Sequence, residues 1–278
     1  MERWLGVRQW LVFILLLGCV SDGSAAPPVI APLSIGESIT MWSQALGEER
    51  RINVYFPYDY SPASKTALPV IYMPDGGLQE DFVHVAGVLQ VSIGNQTSRP
   101  FLLVGIENTQ RRRDLTGPTE IAADREIAPE VGGSAAYRRF LKKELIPLIS
   151  DRYPVTDERA IIGESLAGLF VVETYLLEPG LFQHYFAIDP SLWWNGANYV
   201  DRIDQFIDSV DHAHPDIFLA TSSQPEIRAL TRRFAARARQ FQPSLNLVHV
   251  ELPQESHATI YHPAALIGLR RMLAPAID

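Results

Sequence analysis

Short, nearly unbroken apolar runs recur along this chain, each closed by small or polar residues. They fall at residues 69–73, 101–106, 159–163, 185–188, 217–220 and 245–252. Runs that are apolar on both faces suit parallel strands covered by helices on each side. Between them the spacing turns helical. Residues 137–149 put Phe140, Leu141, Leu145 and Leu148 on one face, and 169–177 form a second apolar, helix-forming stretch. A basic helix over 226–240 and a last helix over 263–273 follow. Upstream, 38–46 and 51–56 are β-rich and alternating, joined by the polar Gly47-Glu48-Glu49-Arg50, which reads as a hairpin turn. Residues 107–133 read as one long polar loop. Strand–helix alternation without a break in composition predicts one α/β domain over 33–278. Its expected sheet is doubly wound and mostly parallel, with an antiparallel N-terminal hairpin.

Composition narrows the class of protein. Of 278 residues, 47% are hydrophobic and 20% charged, as in ordinary globular chains. The net charge of -8 speaks against a nucleic-acid partner, whose phosphates demand basic surface. The N-terminus stands apart. Arg3 and Arg8 precede an apolar run at 10–17, and Gly23-Ser24-Ala25 offers small residues for cleavage. Residues 1–25 are therefore expected to be a signal peptide directing a periplasmic or secreted protein. The run is too short for a comfortable membrane span, and Pro27-Pro28 breaks any continuation as a core helix. Leu16-Leu17-Gly18-Cys19 also resembles a lipobox, so lipid attachment at Cys19 is the alternative and the only expected route to a membrane. Cys19 is the one cysteine, which excludes an internal disulfide.

The chemistry concentrates at Ile161-Ile162-Gly163-Glu164-Ser165-Leu166-Ala167-Gly168. A buried strand running into Gly-x-Ser, followed by small residues and an apolar helix, outlines a nucleophile elbow with Ser165 at its apex. The strand order fits an α/β-hydrolase sheet, with the nucleophile after the fifth strand. A serine nucleophile needs a base and a carboxylate to orient it, in the chain order Ser, acid, His. Of seven histidines, His257 alone lies in the loop between the last strand and the last helix, where sites gather in open α/β sheets. The acid is expected at Glu226, just past the strand around 216–220. Asp189, at the end of the preceding strand, competes, and a Ser–His pair without an acid is the third arrangement. The Leu166 amide and that of Gly76 or Gly77 are the expected oxyanion donors. No metal or organic cofactor is needed, and no compact cluster with metal-ligand spacing stands out along the sequence.

These residues carry a family resemblance. From about Ile35 onward the chain resembles the esterase family of α/β-hydrolases that contains siderophore (enterobactin-type) esterases, and it is similar to their branch in particular. The markers are Tyr72-Met73-Pro74-Asp75-Gly76, Val104-Gly105-Ile106-Glu107-Asn108 with Arg113-Asp114, and Phe140-Leu141-Lys142-Lys143-Glu144-Leu145-Ile146-Pro147. The elbow, Asp189-Pro190-Ser191-Leu192-Trp193-Trp194 and Glu255-Ser256-His257-Ala258 complete the set. The resemblance implies Ser165 and His257 as catalytic residues. Trp193 and Trp194 are expected in the pocket wall, with one of the two reaching substrate, and Arg113 is expected to bind its oxygens. Arg113 is chosen over Arg111 and Arg112 because it matches the family's Arg-Asp pair. Two positions depart from the family pattern: Asp189 stands where Ser is usual, and Ala167 where Gly is usual. The expectation is an exported serine carboxylic-ester hydrolase acting through an acyl-enzyme on a small ester of siderophore or aryl type. The alternatives are an acyltransferase of the same fold, or a binding protein that keeps the fold without catalysis.

Overall fold

The computed structural model describes residues 28–213 and 215–275, and the expected signal segment with Cys19 lies outside them. The chain separates into two units, Met1–Leu33 and Ser34–Asp278, and the fold below belongs to the second.

Its centre is an eight-stranded sheet: β1 (Gly36–Ser43), β2 (Glu48–Tyr55), β3 (Leu68–Pro74), β4 (Leu102–Ile106), β5 (Val155–Glu164), β6 (His184–Ile188), β7 (Asp216–Thr221) and β8 (Leu247–Glu251). The spatial order is β1-β2-β4-β3-β5-β6-β7-β8. Only the β1–β2 and β2–β4 pairs are antiparallel. From β4 onward every neighbouring pair is parallel. The helices are α1 (Phe82–Gly94), α2 (Arg111–Leu115), α3 (Ala122–Glu126), α4 (Ser134–Phe140), α5 (Ile146–Arg152), α6 (Leu166–Leu177), α7 (Trp194–Asp201), α8 (Ile207–Ala213), α9 (Pro225–Phe241) and α10 (Tyr261–Met272). This is the α/β-hydrolase architecture. Among the described residues no helix is long and apolar enough to cross a membrane.

Strand alternation sorts the core into two layers, because successive side chains leave opposite faces of a sheet. Tyr72, Val104, Ile161, Tyr185 and Leu219 face one side and pack with Phe140, Leu145, Phe170 and Phe234. Ile71, Met73, Leu103, Ile162, Phe186 and Phe218 face the other and pack with Val85 and Leu89 of α1 and Ala264 and Leu269 of α10. Gly268 lets α10 come close: a Cβ there would meet the rings of Phe218 and Phe186 at 3.0 and 3.1 Å. That contact seats α10, and with it the loop that precedes it, over β6 and β7.

Three local expectations are corrected. The hairpin turn lies at 44–47 with Gly47 in the left-handed region (φ +69°), and Glu48 to Arg50 already belong to β2. The shift arises because Arg50, polar enough to read as turn, is fully buried. Its guanidinium is held by Asp114 at 2.6 Å, Thr109 at 2.7 Å and Glu48 at 2.8 Å. The segment 107–133 is not a bare loop, since it contains α2 and α3. It is tied down by Arg50, by Trp194 Nε1 donating to Gly117 O at 2.8 Å, and by the Asn195 amide donating to Asp124 at 2.8 Å. Finally, the helix expected over 137–149 is continuous from α4 to α5 but passes through a π-helical turn at Leu141–Leu145. The wide turn sits just before Pro147, whose ring and missing N–H disrupt a regular helical turn.

Candidate active site

The elbow begins with backbone geometry. β5 ends at Glu164, α6 begins at Leu166, and Ser165 between them has φ 59° and ψ −118°. A non-glycine residue at positive φ is costly, and such strain gathers at functional sites where surroundings impose it. Here the Ser165 amide donates to Ile188 O at 3.0 Å, and its carbonyl accepts from the amides of Leu169 at 2.9 Å and Ser191 at 3.0 Å. Small neighbours are required. A Cβ on Gly163 would lie 2.7 Å from the Ala167 Cβ, and one on Gly168 would lie 2.9 Å from Ile188 O. Ala167 is tolerated in place of the usual glycine because Gly163 leaves room for its methyl, while Gly168 makes the close approach to β6.

Three side chains from three strand ends converge. Ser165 Oγ lies 3.0 Å from His257 Nε2, and His257 Nδ1 lies 2.7 Å from Asp189 Oδ2. Asp189 follows β6 and is fully buried. Its carboxylate accepts from the Ser222 amide and hydroxyl, each at 2.7 Å, so it is aimed as well as buried. The carboxylate places the ring proton on Nδ1 and leaves Nε2 to accept from Ser165. The hydrogen bond to Asp189 raises the proton affinity of His257 above the ordinary histidine value, against the opposing effect of burial. Ser191 Oγ stands 3.4 Å from Ser165 Oγ.

A second carboxyl faces the same ring. Glu164, the residue between Gly163 and Ser165, puts Oε1 3.3 Å from His257 Nδ1, with its side chain 16% exposed. Burial pushes its pKa up to about 8, opposed by the charges of His257 and Arg111 and reinforced by Asp189 and Asp75. Glu164, Asp189 and His257 thus bring one oxygen or nitrogen each within 4.8 Å of one another, a cluster that spacing along the sequence does not show. The imidazole's own bonds to Ser165 and Asp189 account for its arrangement.

Comparison with known proteins shows the family. A family model described as Putative esterase matches residues 43–258, well over half of the chain. The chain belongs to this family. Among curated relatives, the Ferri-bacillibactin esterase BesA of Bacillus subtilis (strain 168) is 30% identical over 192 residues, 62% of this chain and 64% of that protein. The Siderophore triacetylfusarinine C esterase of Aspergillus fumigatus is 26% identical over 205 residues, 67% of this chain and 66% of that protein. The chain therefore spans just under two thirds of the length of these two relatives. Among solved structures, an IroE-like serine hydrolase from Shewanella oneidensis superposes with a TM-score of 0.78 at 26% identity, covering 87% of this chain and 82% of that one.

Within this member of the Putative esterase family, several expected positions fall elsewhere. Glu226 is exposed in the first turn of α9, and the carboxylate on His257 Nδ1 is that of Asp189. The expectation that Glu226 meets His257 is corrected: the carboxylate beside the ring is Asp189. The loop after β7 contributes Ser222 as a donor to the Asp189 carboxylate rather than a carboxylate of its own. Gly76 leaves the set of oxyanion donors because its amide already donates to Ile106 O at 2.9 Å. Its lack of a side chain serves packing, since a Cβ there would sit 2.3 Å from the Gly105 Cα. The Gly77 amide donates to Glu80 Oε2 at 2.6 Å, while Glu80 returns its own amide to Gly77 O at 3.0 Å. Leu166, the first residue of α6, has an amide without an acceptor inside its helix.

The aromatic and basic candidates are also redistributed. Trp194 is buried at 1% exposure and fastens 107–133, so it is not a substrate-facing ring. Trp193 is only partly buried and packs against the edge of the hydrophobic core. Arg113 is turned away, paired with Glu48 and Asp114 at 2.8 and 2.7 Å. Arg111 is the arginine that faces inward. It binds Asp75 through Nε and Nη2, both at 2.7 Å, and its charge reaches Glu164 and His257. Asp75 also accepts from Asn108 Nδ2 at 2.6 Å and has φ 58°, another strained residue beside the elbow. Glu164, Arg111 and Ser191 were not selected as site residues from sequence. The usable signal was the Glu in the elbow motif itself, since its neighbours fix where the side chain starts.

Proposed function

We propose that this chain is a serine carboxylic-ester hydrolase that works through an acyl-enzyme. The observation that carries the reading is the continuous path from Ser165 Oγ through His257 to Asp189, with contacts of 3.0 and 2.7 Å and the serine held on a strained elbow. Ser165 attacks the ester carbonyl and passes its proton to His257 Nε2. Asp189 keeps the ring oriented and stabilises the imidazolium. His257 then gives the proton to the departing alcohol, and the reverse sequence with water releases the acid. The Leu166 amide, at the positive end of α6, supports the developing oxyanion, whereas the Gly77 amide is held by Glu80.

The substrate we propose is an ester of siderophore or aryl-acid type. The names of the relatives BesA and the triacetylfusarinine C esterase support that class. Partly exposed Trp193 offers a face for an aryl group, and Arg111, 34% exposed, offers a cation for its oxygens. We further propose that the protein is exported, on the strength of the N-terminal pattern. The test is covalent and kinetic. A fluorophosphonate should label the wild-type protein at Ser165 and leave Ser165→Ala unlabelled, and a cyclic trilactone or aryl ester should be turned over by the former alone. Normal turnover by folded Ser165→Ala would sink the mechanism. Preference for long-chain acyl esters would overturn the substrate class.

A further inference from the structure

Most serine–histidine pairs need one carboxylate, and here two face the same imidazole nitrogen. Asp189 is the hydrogen-bonded one, at 2.7 Å and fully buried. Glu164 stands at 3.3 Å, and its Oε1 is a buried oxygen with no hydrogen-bond partner. A buried acceptor left unpaired is costly, and its persistence beside a working base calls for a role.

We propose that Glu164 is a positioning residue for the reaction, acting through His257: its ionised carboxylate is a second counter-charge for the imidazolium that forms as Ser165 attacks. This rests on the serine-hydrolase reading above. The proton of Ser165 Oγ goes to Nε2, the Nδ1 proton stays donated to Asp189, and Glu164 has already released its own proton to solvent. The doubly deprotonated site, with neutral His257 and ionised Glu164, is then the faster form. The singly protonated site, with neutral His257 and neutral Glu164, is competent but slower. Burial keeps Glu164 protonated to about pH 8, so both forms occur across the working range.

The charged groups around Glu164 come from every side of the site. Arg111 on α2 and protonated His257 favour its ionised form, and Asp189 after β6 and Asp75 after β3 oppose it. Tyr261 of α10, itself buried with no partner on its hydroxyl, lies within the electrostatic reach of Glu164. Two unit charges at this distance interact by about 1 kcal/mol even in bulk water, so about fivefold in rate is the least effect expected at this mostly buried pair.

The experiment is the pH dependence of kcat/KM for a nitrophenyl ester, and of the fluorophosphonate labelling rate, between pH 5.5 and 9.5. Wild type, Glu164→Gln and a Ser165→Ala blank are compared. Wild type should rise twice, once as His257 loses its proton and again near pH 8 by about fivefold or more. Glu164→Gln should rise once, to a plateau near the lower wild-type level. A second rise that survives in Glu164→Gln, or a wild type with a single rise, overturns the proposal. Equal rates for wild type and the Ser165→Ala blank would instead overturn the serine-hydrolase reading.

Thermal unfolding supplies a readout independent of activity. Unfolded glutamate loses its proton near pH 4.3, and folded Glu164 keeps its proton to about pH 8. Between those values the folded chain binds the extra proton, so this residue's contribution to stability falls as pH rises. The melting temperature of Glu164→Gln relative to wild type should therefore climb from pH 5 to pH 8. A difference that is flat with pH would show that Glu164 ionises as an ordinary exposed carboxylate, and would refute the premise.

Discussion

In the proposed mechanism His257 works as a base only while neutral, and its hydrogen bond to Asp189 sets where that condition begins. Because Asp189 raises the histidine's proton affinity, the acid limb of kcat/KM should lie above the ordinary histidine value of about 6.5. Asp189→Asn removes the negative charge and the constraint on the ring tautomer. Turnover should fall by roughly four orders of magnitude, and whatever activity survives should show its acid limb moved to lower pH. Glu226→Gln, at an exposed helix start, should leave kcat within about twofold, as surface changes away from such networks usually do. Steady-state kinetics on the two folded variants check both outcomes, and the reverse ranking would return the acid to Glu226. Chain order admits both carboxylates, since each follows Ser165 and precedes His257. What separates them is Ser222, whose amide and hydroxyl hold Asp189 in place, and that pairing joins residues 33 apart.

Helices and strands place these residues through a few close approaches. Gly268 sets α10 on Phe218 and Phe186, and the β7–β8 end is stitched by the Ser223 amide donating to Glu255 O at 2.8 Å. The segment with α2 and α3 is held over the site by a buried arginine on one side and a buried tryptophan on the other. The two tryptophans therefore divide their tasks, and substitution should separate them. Trp194→Ala should cost about 3–5 kcal/mol of stability, the range for removing a buried aromatic side chain, and lower the melting temperature markedly. Trp193→Ala should leave the melting temperature within a few degrees, yet reduce kcat/KM for aryl esters more than for acetyl esters. Calorimetry and paired substrate assays test this. Equal kinetic losses on both esters would assign Trp193 to the scaffold.

At the scale of the whole molecule, the parallel strands make the site possible because their C-terminal ends lie at one edge of the sheet. β3, β5, β6 and β7 deliver Asp75, Ser165, Asp189 and Ser222 there, and the loop after β8 delivers His257. A cleaved signal segment would leave this domain intact, since residues 34–278 form a unit of their own. Protein taken from its native host should begin between Cys19 and Pro27 by mass spectrometry. An intact Met1 would refute processing, and a diacylglyceryl group on Cys19 would select the lipid-anchored route.

The sequence by itself determined the sheet and its direction, because unbroken apolar runs demand cover on both faces. It also determined the elbow, because strand, small residues and helix around Ser165 leave few other backbone paths, and it singled out His257 by position alone. Tertiary structure decided everything that depends on distance between strands. It selected Asp189 over Glu226, withdrew Gly76 as a donor, turned Arg111 inward in place of Arg113 and buried Trp194 instead of Trp193. It also set Glu164 against the His257 ring. The physical reason is common to all of these. A motif records which residues are neighbours along one element, whereas hydrogen bonds and charge–charge contacts act across elements, through separations that the pattern along a single chain does not encode.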